Sequence, residues 1–373
     1  MTLYRKYRPQ KLEELDLVEI RKRLSVILSS DNTPHAFLFA GPKGTGKTSA
    51  ARIVAKILNC EQSNSNQSSV VSDRLKTKEP KTDNRKPIAE VEPCNKCETC
   101  ISITEGRNLD ILEIDAASNR GIDEIRDLRE KIKLAPAGTR YKIYIIDEVH
   151  MLTTEAFNAL LKTLEEPPLH AVFILATTEA DKLLPTIISR CTRLDFKRAN
   201  IDEIVHSLKR VVKGEGLEID NEGEILEMIA SVSDGSFRDA TKILEQAVLE
   251  KALGKDSLKK IIGDSGNQTQ KLLTLLLDKD SQKTLELLEG LAGQGTNMRI
   301  FTSAILNYLH KLLLAKHGLA TVDDADLEKF STSDINDLIK IFSRVYGELR
   351  TTAIPQLPME LAVVEWCEGK HAN

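Results

Sequence analysis

A glycine-rich segment with the pattern G-x-x-x-x-G-K-T follows a short apolar run and precedes a helical pattern. Its residues are Gly41, Pro42, Lys43, Gly44, Thr45, Gly46, Lys47 and Thr48. Between a strand and a helix this pattern predicts a phosphate-binding loop, or P-loop. Its glycines let the backbone wrap around phosphate oxygens, Lys47 would reach the β- and γ-phosphates of ATP, and the Thr48 hydroxyl would bind Mg²⁺. The alternative is a glycine-rich turn without a ligand, which this context disfavours.

Short apolar runs alternate with amphipathic segments through the first half of the chain. Runs this short, rich in β-branched and aromatic residues, are typical of parallel strands that are buried on both faces. The four runs cover residues 36–40, 111–114, 143–146 and 172–176. A helical pattern follows Thr153 and ends at Pro167. The alternation predicts a three-layer α/β domain over residues 1–196.

Two acidic residues, Asp147 and Glu148, directly follow the predicted strand that ends at Ile146. A carboxylate there emerges at the carboxyl edge of a parallel sheet, beside the P-loop. Asp147 would complete the Mg²⁺ shell, and Glu148 would polarise the attacking water. The alternative is a solvated acidic turn, and the intact P-loop about one hundred residues earlier argues against it.

Three of the six cysteines form a C-x-x-C-x-x-C cluster at Cys94, Cys97 and Cys100, and Cys60 is the natural fourth thiolate. Four sulfurs predict a closed structural Zn²⁺ site. A redox pair and an iron–sulfur site are the alternatives. The zinc module would span about residues 60–100. Residues 61–93 within it are polar with balanced charges, which predicts a flexible surface insertion.

Helical periodicity replaces the strand pattern from about residue 200. It predicts a small helical domain at 197–252 and a larger all-α domain at 253–373. The net charge of −4 gives no overall attraction to nucleic acid. No apolar run could span a bilayer and no secretory signal is evident, so we expect a cytoplasmic protein without membrane contact.

Several motifs along the chain resemble those of one family. They are Tyr7-Arg8-Pro9, His35-Ala36-Phe37-Leu38-Phe39, Ile114-Asp115-Ala116-Ala117-Ser118, the segments 145–152 and 158–168, Ser189-Arg190-Cys191 and Gly235-Ser236-Phe237-Arg238-Asp239-Ala240. Together with the cysteine cluster, the series resembles the gamma/tau subunits of bacterial DNA polymerase III clamp loaders, which are AAA+ ATPases, over nearly the whole chain.

The resemblance implies a fold and a set of roles. The fold is a P-loop AAA+ parallel-sheet domain with an inserted zinc module, followed by a helical lid and an all-α collar for oligomerisation. Lys47 and Thr48 would bind ATP and Mg²⁺, and Asp147 and Glu148 would be the Walker B acids. The remaining roles are sensor 1 at Thr177 or Thr178, an arginine finger at Arg190 that acts on a neighbouring subunit's ATP, sensor 2 at Arg238, and an adenine pocket framed by Arg8 and Pro9.

The same resemblance implies partners. These are a sliding clamp, delta and delta-prime subunits, other copies of the chain in a heteropentamer, primer-template DNA and the DNA polymerase III holoenzyme. A nucleotidyltransferase label would describe that holoenzyme, since the chain shows no polymerase site. The end of the chain after the collar region favours a gamma-like form.

Two departures from the family pattern stand out. Residues 15–20 replace a Val-Gly-Gln-like turn near the adenine pocket, and the insertion in the zinc module is long. Two other functions stay open: another AAA+ DNA motor, such as a branch-migration helicase, and a non-hydrolysing, stator-like subunit of the loader. The cysteine cluster argues against the first. The intact Lys47, Thr48, Asp147 and Glu148 argue against the second.

Overall fold

The computed structural model places most of the chain in two compact units, Met1–Glu245 and Gln246–Asn373. It describes residues 2–30, 32–62, 91–118, 130–255, 257–258, 265–293, 296, 298–319, 327, 329–349, 352 and 354–369. Most of the insertion predicted at 61–93 therefore lies outside the described residues. The domain boundaries expected after residues 196 and 252 stay predictions.

The first unit contains a five-stranded parallel sheet in the order β2-β3-β4-β1-β5. Its strands are β1 (Ala36–Ala40), β2 (Ile111–Asp115), β3 (Lys142–Asp147), β4 (Ala171–Thr177) and β5 (Thr192–Asp195). β1 lies between β4 and β5 and pairs Leu38 with Leu175 and with Arg193. The carboxyl ends of β1, β3 and β4 therefore meet at one edge, where the sequence predicts the site.

Helices precede, separate and follow these strands. They are α1 (Leu3–Lys6), α2 (Val18–Leu28), α3 (Lys47–Asn59), α4 (Glu98–Glu105), α5 (Thr154–Glu165), α6 (Pro185–Ile188), α7 (Ile201–Glu215), α8 (Glu222–Val232) and α9 (Phe237–Leu249). α5 begins where the sequence predicts, because the Thr153 hydroxyl accepts a hydrogen bond from the Ala156 amide at 3.3 Å.

The central strands are buried on both faces, as their apolar runs predict, because helices cover each side. One face packs Leu38, Tyr144 and Phe173 against the apolar side of α5. α3 packs against β3 and β4. The three-layer α/β class is thereby confirmed. β2 is the exception, since it lies at the sheet edge and is only partly buried, and its Glu113 is paired with Arg52.

Three helices, α7 to α9, follow the sheet within the first unit. Asn200 begins α7 with a capping box: its side chain accepts from the Glu203 amide at 2.8 Å, and the Glu203 carboxylate accepts from the Asn200 amide at 3.0 Å. Ser236 caps α9, because its hydroxyl oxygen accepts a hydrogen bond from the Asp239 amide at 3.2 Å.

The described part of the second unit is helical, as predicted. Its helices are the end of α9, then α10 (Ser265–Leu277), α11 (Ser281–Gly293), α12 (Met298–Lys316), α13 (Thr332–Glu348) and α14 (Leu357–Glu368). An apolar cluster joins α10 to α14, with Phe301, Phe342 and Trp366 among its buried members. The Trp366 indole N–H is satisfied by the Leu276 carbonyl at 2.8 Å. Within the part of the chain that the structure describes, no helix has the length and apolar character that a membrane crossing requires.

Candidate nucleotide site and cysteine cluster

The P-loop connects β1 to α3 and depends on glycine at two close approaches. Gly44 has φ +83°, and a Cβ there would lie 2.0 Å from the Ser236 hydroxyl oxygen. Gly41 has φ +148°, and its Cβ would lie 2.0 Å from the Phe196 carbonyl oxygen. Any side chain at either position would collide with these neighbours and strain the backbone.

Lys47 begins α3 and turns its ammonium group back onto the loop. Its Nζ donates to the carbonyls of Gly41 at 2.6 Å and Pro42 at 2.8 Å. Burial lowers the pKa of Lys47, while the nearby carboxylates of Glu148 and Asp147 oppose that shift. A phosphate at this position would replace two neutral carbonyls with a charged partner.

Thr48 and Asp147 bridge the P-loop helix and the end of β3. The Thr48 hydroxyl donates to Asp147 Oδ2 at 2.9 Å, and the Glu148 amide donates to Asp147 Oδ1 at 3.0 Å. Hydroxyl and carboxylate oxygens are the protein ligands that Mg²⁺ uses beside phosphate. The oxygens present at this position therefore fit the ion.

Glu148 adopts φ +48°, a left-handed conformation that is uncommon for a residue other than glycine. Its Oε2 accepts from the Thr178 amide at 3.2 Å and the Thr178 hydroxyl at 3.0 Å. Thr177 is buried, and its hydroxyl oxygen lies 3.0 Å from His150 Nδ1 instead. The two threonines are thus distinguished by geometry, because Thr178 contacts Glu148 directly.

Arg238 comes to the P-loop because the start of α9 docks on it. The Phe237 amide donates to the Gly44 carbonyl at 3.1 Å. The guanidinium of Arg238, next in sequence, lies over the Tyr4 ring with its central carbon 5.6 Å from the ring centroid. Burial lowers the pKa of Arg8, and the positive charge of Arg52 acts in the same direction.

An open cleft joins these groups, and the roughly 1030 Å³ of empty space between them includes solvent at its mouth. The predicted site residues that line it are Arg8, Pro9, Lys43, Gly44, Thr45, Gly46, Lys47, Thr48, Asp147, Glu148 and Arg238. Gly41 and Pro42 contribute through the carbonyls that hold Lys47. Thr177, Thr178 and Arg190 are not among the residues that line the cleft.

Several lining residues are absent from the sequence prediction. Tyr4, Tyr7 and Asp16 come from the N-terminal segment, and Ser207 and Val211 come from α7. The Asp16 side chain is only 3% exposed and accepts two hydrogen bonds from the Arg210 guanidinium, at 2.8 and 2.6 Å, and lies 2.8 Å from His206 Nδ1. Ser207 and Val211 are four residues apart and therefore share one face of α7, but such a pair occurs in every helix, so the sequence carries no signal for this part of the cleft.

Arg190 lies just after α6, away from this cleft. Its Nη2 donates to Glu165 Oε1 at 2.7 Å, and its Nη1 donates to the Thr186 carbonyl at 2.8 Å. The side chain is 34% exposed. Within its own chain, Arg190 therefore contacts α5 and α6 rather than the P-loop.

The four predicted cysteines meet beside the end of α3. Their sulfur atoms all lie within 4.8 Å of one another, and those of Cys94 and Cys100 are 4.0 Å apart. A tetrahedral Zn²⁺ with bonds of about 2.3 Å separates its sulfurs by about 3.8 Å, so the cluster fits this ion. Burial raises the pKa of Cys94 and Cys100, so thiolates here need a neighbouring cation.

The chain matches the family model described as "DNA polymerase III, delta subunit" over residues 18–88 and 81–200. It is 42% identical to DNA polymerase III subunit tau of Bacillus subtilis, over 100% of this chain and 64% of that protein. It is 36% identical to DNA polymerase III subunit gamma of Buchnera aphidicola, over 84% of this chain and 80% of that protein. This chain therefore spans slightly less than two thirds of the tau relative.

Among solved structures, the Holliday junction branch migration motor RuvB of Thermotoga maritima is 20% identical. It covers 72% of this chain and 79% of that one, with a TM-score of 0.47. A similarity at this level carries no functional conclusion. The identities to the tau and gamma subunits do establish a family, and this chain belongs to the DNA polymerase III gamma/tau subunits.

Proposed function

We propose that this chain binds and hydrolyses ATP as a motor subunit of a clamp loader, which opens a sliding clamp and loads it on primed DNA for DNA polymerase III. The hydrogen bond between Thr48 and Asp147 is the observation that carries the proposal. It brings the P-loop hydroxyl and the first acidic residue to one point, with Lys47, Glu148 and Arg238 along the same cleft.

The P-loop would bind the phosphates of ATP. Thr48 and Asp147 would hold Mg²⁺, which supplies positive charge to the phosphates. Lys47 would exchange the carbonyls of Gly41 and Pro42 for phosphate oxygens, and the backbone amides at the start of α3 would add further donors. Arg8 and Pro9, beside the apolar side chains of Leu15 and Leu17, would frame the adenine.

Glu148 would orient and polarise the attacking water through its carboxylate. Its hydrogen bonds from Thr178 fix Oε2, which supports Thr178 rather than Thr177 as the sensor 1 residue. Thr177 would act one step away, through His150, whose Nδ1 lies 3.4 Å from Glu148 Oε2 and 3.0 Å from the Thr177 hydroxyl oxygen.

Two arginines would stabilise negative charge from different directions. Arg238 lines the cleft of its own chain and would reach the phosphates as sensor 2. Arg190 points away from that cleft, which supports a role on the ATP of a neighbouring subunit. Hydrolysis would then require assembly with other copies of the chain and with delta and delta-prime subunits.

The four cysteines would hold one structural Zn²⁺.

The experiment that tests the whole proposal measures ATP turnover by the chain alone and then mixed with delta and delta-prime subunits, sliding clamp and primed DNA. We expect weak turnover alone, strong stimulation in the complete mixture, and dependence of clamp loading on this chain. An ATP turnover rate that is unchanged by delta and delta-prime subunits, sliding clamp and primed DNA would contradict a clamp-loading role.

A further inference from the structure

The segment from Tyr7 to Leu17 lines the cleft with its first and last residues, whereas its middle residues do not line it. Tyr7, Arg8 and Pro9 line the cleft before the middle residues, and Leu15, Asp16 and Leu17 line it after them. Asp16 is held by Arg210, but the position of the other lining residues depends on what holds residues 10–13. The Glu14 carboxylate binds the Gln10 and Lys11 amides within the segment, and the cysteine module supplies the support from outside it.

Glu92 binds the middle of this segment with both oxygens of its carboxylate. Oε2 accepts from the Leu12 amide at 2.7 Å, and Oε1 accepts from the Glu13 amide at 2.7 Å. Leu12 is 2% exposed, so this region is packed as well as hydrogen-bonded. Glu92 lies two residues before Cys94, at the end of the predicted insertion, and that end is thus an ordered part of the module.

Asn95 makes a second connection from inside the cysteine motif. Its Nδ2 donates to the Gln10 carbonyl at 3.2 Å, and its backbone has φ +54°. Gln10 in turn donates from Nε2 to the Arg8 carbonyl at 3.0 Å. A path of two hydrogen bonds therefore joins the Cys94–Cys97 turn to a residue that lines the cleft.

Lys56 joins both partners to the P-loop helix. Its Nζ, on a side chain buried within α3, donates to Asn95 Oδ1 at 3.0 Å and to Gln10 Oε1. Lys56 lies four residues before Cys60, and its ammonium group contacts Asn95, the residue after Cys94, so it lies beside the cysteine cluster. A site of four thiolates and Zn²⁺ carries a net negative charge, which a buried ammonium group stabilises.

We propose that the Cys₄ metal module positions the N-terminal segment along the cleft, so that metal binding and nucleotide binding are coupled. The proposal rests on the proposed function, because it assumes that the cleft binds a nucleotide. With the module ordered by metal, residues 8–17 are held in the binding conformation. Loss of the module lowers the fraction of molecules in that conformation, and apparent nucleotide affinity falls by the same factor.

Two variants test the connections without touching a sulfur or a cleft residue. Glu92→Ala removes the acceptor of the Leu12 and Glu13 amides. Asn95→Gly removes the side-chain bonds to Gln10 and Lys56 while tolerating the positive φ. Glu98→Ala is the matched control, because Glu98 is an exposed glutamate of the same module on the first turn of α4.

The measurements are zinc content, thermal unfolding, and equilibrium affinity of the full-length chain for ATP and for ADP. We expect Glu92→Ala and Asn95→Gly to fold, to retain one zinc, and to bind both nucleotides about tenfold more weakly. Equal losses for ATP and ADP are expected because the proposed function places this segment along the adenosine part, which the two nucleotides share. Glu98→Ala should bind both nucleotides as the wild type does.

Removal of zinc from the wild-type chain with a chelator under reducing conditions gives an independent measurement. We expect a loss of ATP affinity at least as large, restored when Zn²⁺ is added back. Wild-type affinity in either variant, or in a folded zinc-free chain, would overturn the coupling. A variant that loses zinc supports it if affinity falls and refutes it if affinity stays. A wild-type, zinc-loaded chain that binds no nucleotide would instead refute the proposed function.

Discussion

The guanidinium of Arg190 is held within its own chain by Glu165, with 2.7 Å between Nη2 and Oε1. Both side chains are partly exposed, and such ion pairs contribute about 1 kcal/mol or less. A phosphate group of ATP bound to a neighbouring subunit would compete with Glu165 for this guanidinium. The ion pair with Glu165 therefore orients the Arg190 side chain in the isolated chain, and the guanidinium does not line that chain's own cleft.

Replacement of Arg190 by alanine should separate binding from hydrolysis. We expect Arg190→Ala to leave the ATP affinity of the isolated chain nearly intact and to reduce turnover by the assembled loader by ~10³-fold. Arg193→Ala is a suitable control, because Arg193 is an exposed arginine three residues away that pairs with Asp195. Loss of ATP affinity in the isolated Arg190→Ala chain would contradict a role of Arg190 on the ATP of a neighbouring subunit.

A mixture of two defective chains tests the same role from the other direction. Lys47→Ala should weaken ATP binding by at least about 100-fold, since the phosphates lose their buried cation, while Arg190 stays intact. Binding assays on this variant, with exposed Lys22→Ala as the control, check the loss. Assemblies that combine Lys47→Ala with Arg190→Ala chains should recover part of the turnover that each lacks alone. Recovery no greater than the sum of the separate activities would argue against sharing between subunits.

The sequence predicts the parts of the site that local patterns encode. The P-loop is recognisable because one strand, a glycine-rich turn and a helix are adjacent in the chain, and Asp147 because it ends a strand in the same sheet. The cysteine cluster follows from its spacing. By contrast, the hydrogen bonds that Asp16 accepts from Arg210 and Glu92 accepts from Leu12 join residues 194 and 80 positions apart. No local periodicity encodes such pairs, because they depend on how the N-terminal segment packs in three dimensions.

The cysteine cluster leads to a prediction about metal content. We expect one Zn²⁺ per chain, and serine at Cys60, Cys94, Cys97 or Cys100 should each reduce retention, since a closed site needs all four thiolates. Metal analysis alongside thiol titration of the folded protein checks this. Cys191→Ser and Cys367→Ser are matched controls that should keep the metal. Four freely titratable thiols in a folded, metal-free wild type would refute the site.

Asp110 should contribute stability that depends on pH. Burial raises the pKa of Asp110, but hydrogen bonds from the Ala137, Gly138 and Thr139 amides and the Thr139 hydroxyl outweigh burial, so the pKa lies below its usual value. The stabilisation is therefore complete above the unfolded-state pKa of about 4 and is lost as pH falls through the lower folded-state value.

Replacement of Asp110 by asparagine should lower the free energy of unfolding by about 1–3 kcal/mol at pH 7. The difference from wild type should shrink as pH falls below about 4. Chemical denaturation across this pH range measures both effects, with the exposed Asp181→Asn as the control. A difference from wild type that is constant with pH would show that the charge of Asp110 is not the cause.

The most direct test of an ATP-hydrolysing motor is a paired measurement on Glu148→Gln in the complete assembly with clamp, delta and delta-prime subunits and primed DNA. Its carboxamide loses the ability to polarise water, whereas Thr48 and Asp147 are unchanged. We predict ATP affinity close to wild type and turnover reduced by at least about 100-fold, while Glu155→Gln, an exposed glutamate on α5, behaves as wild type. Wild-type turnover by the Glu148→Gln assembly would contradict the account.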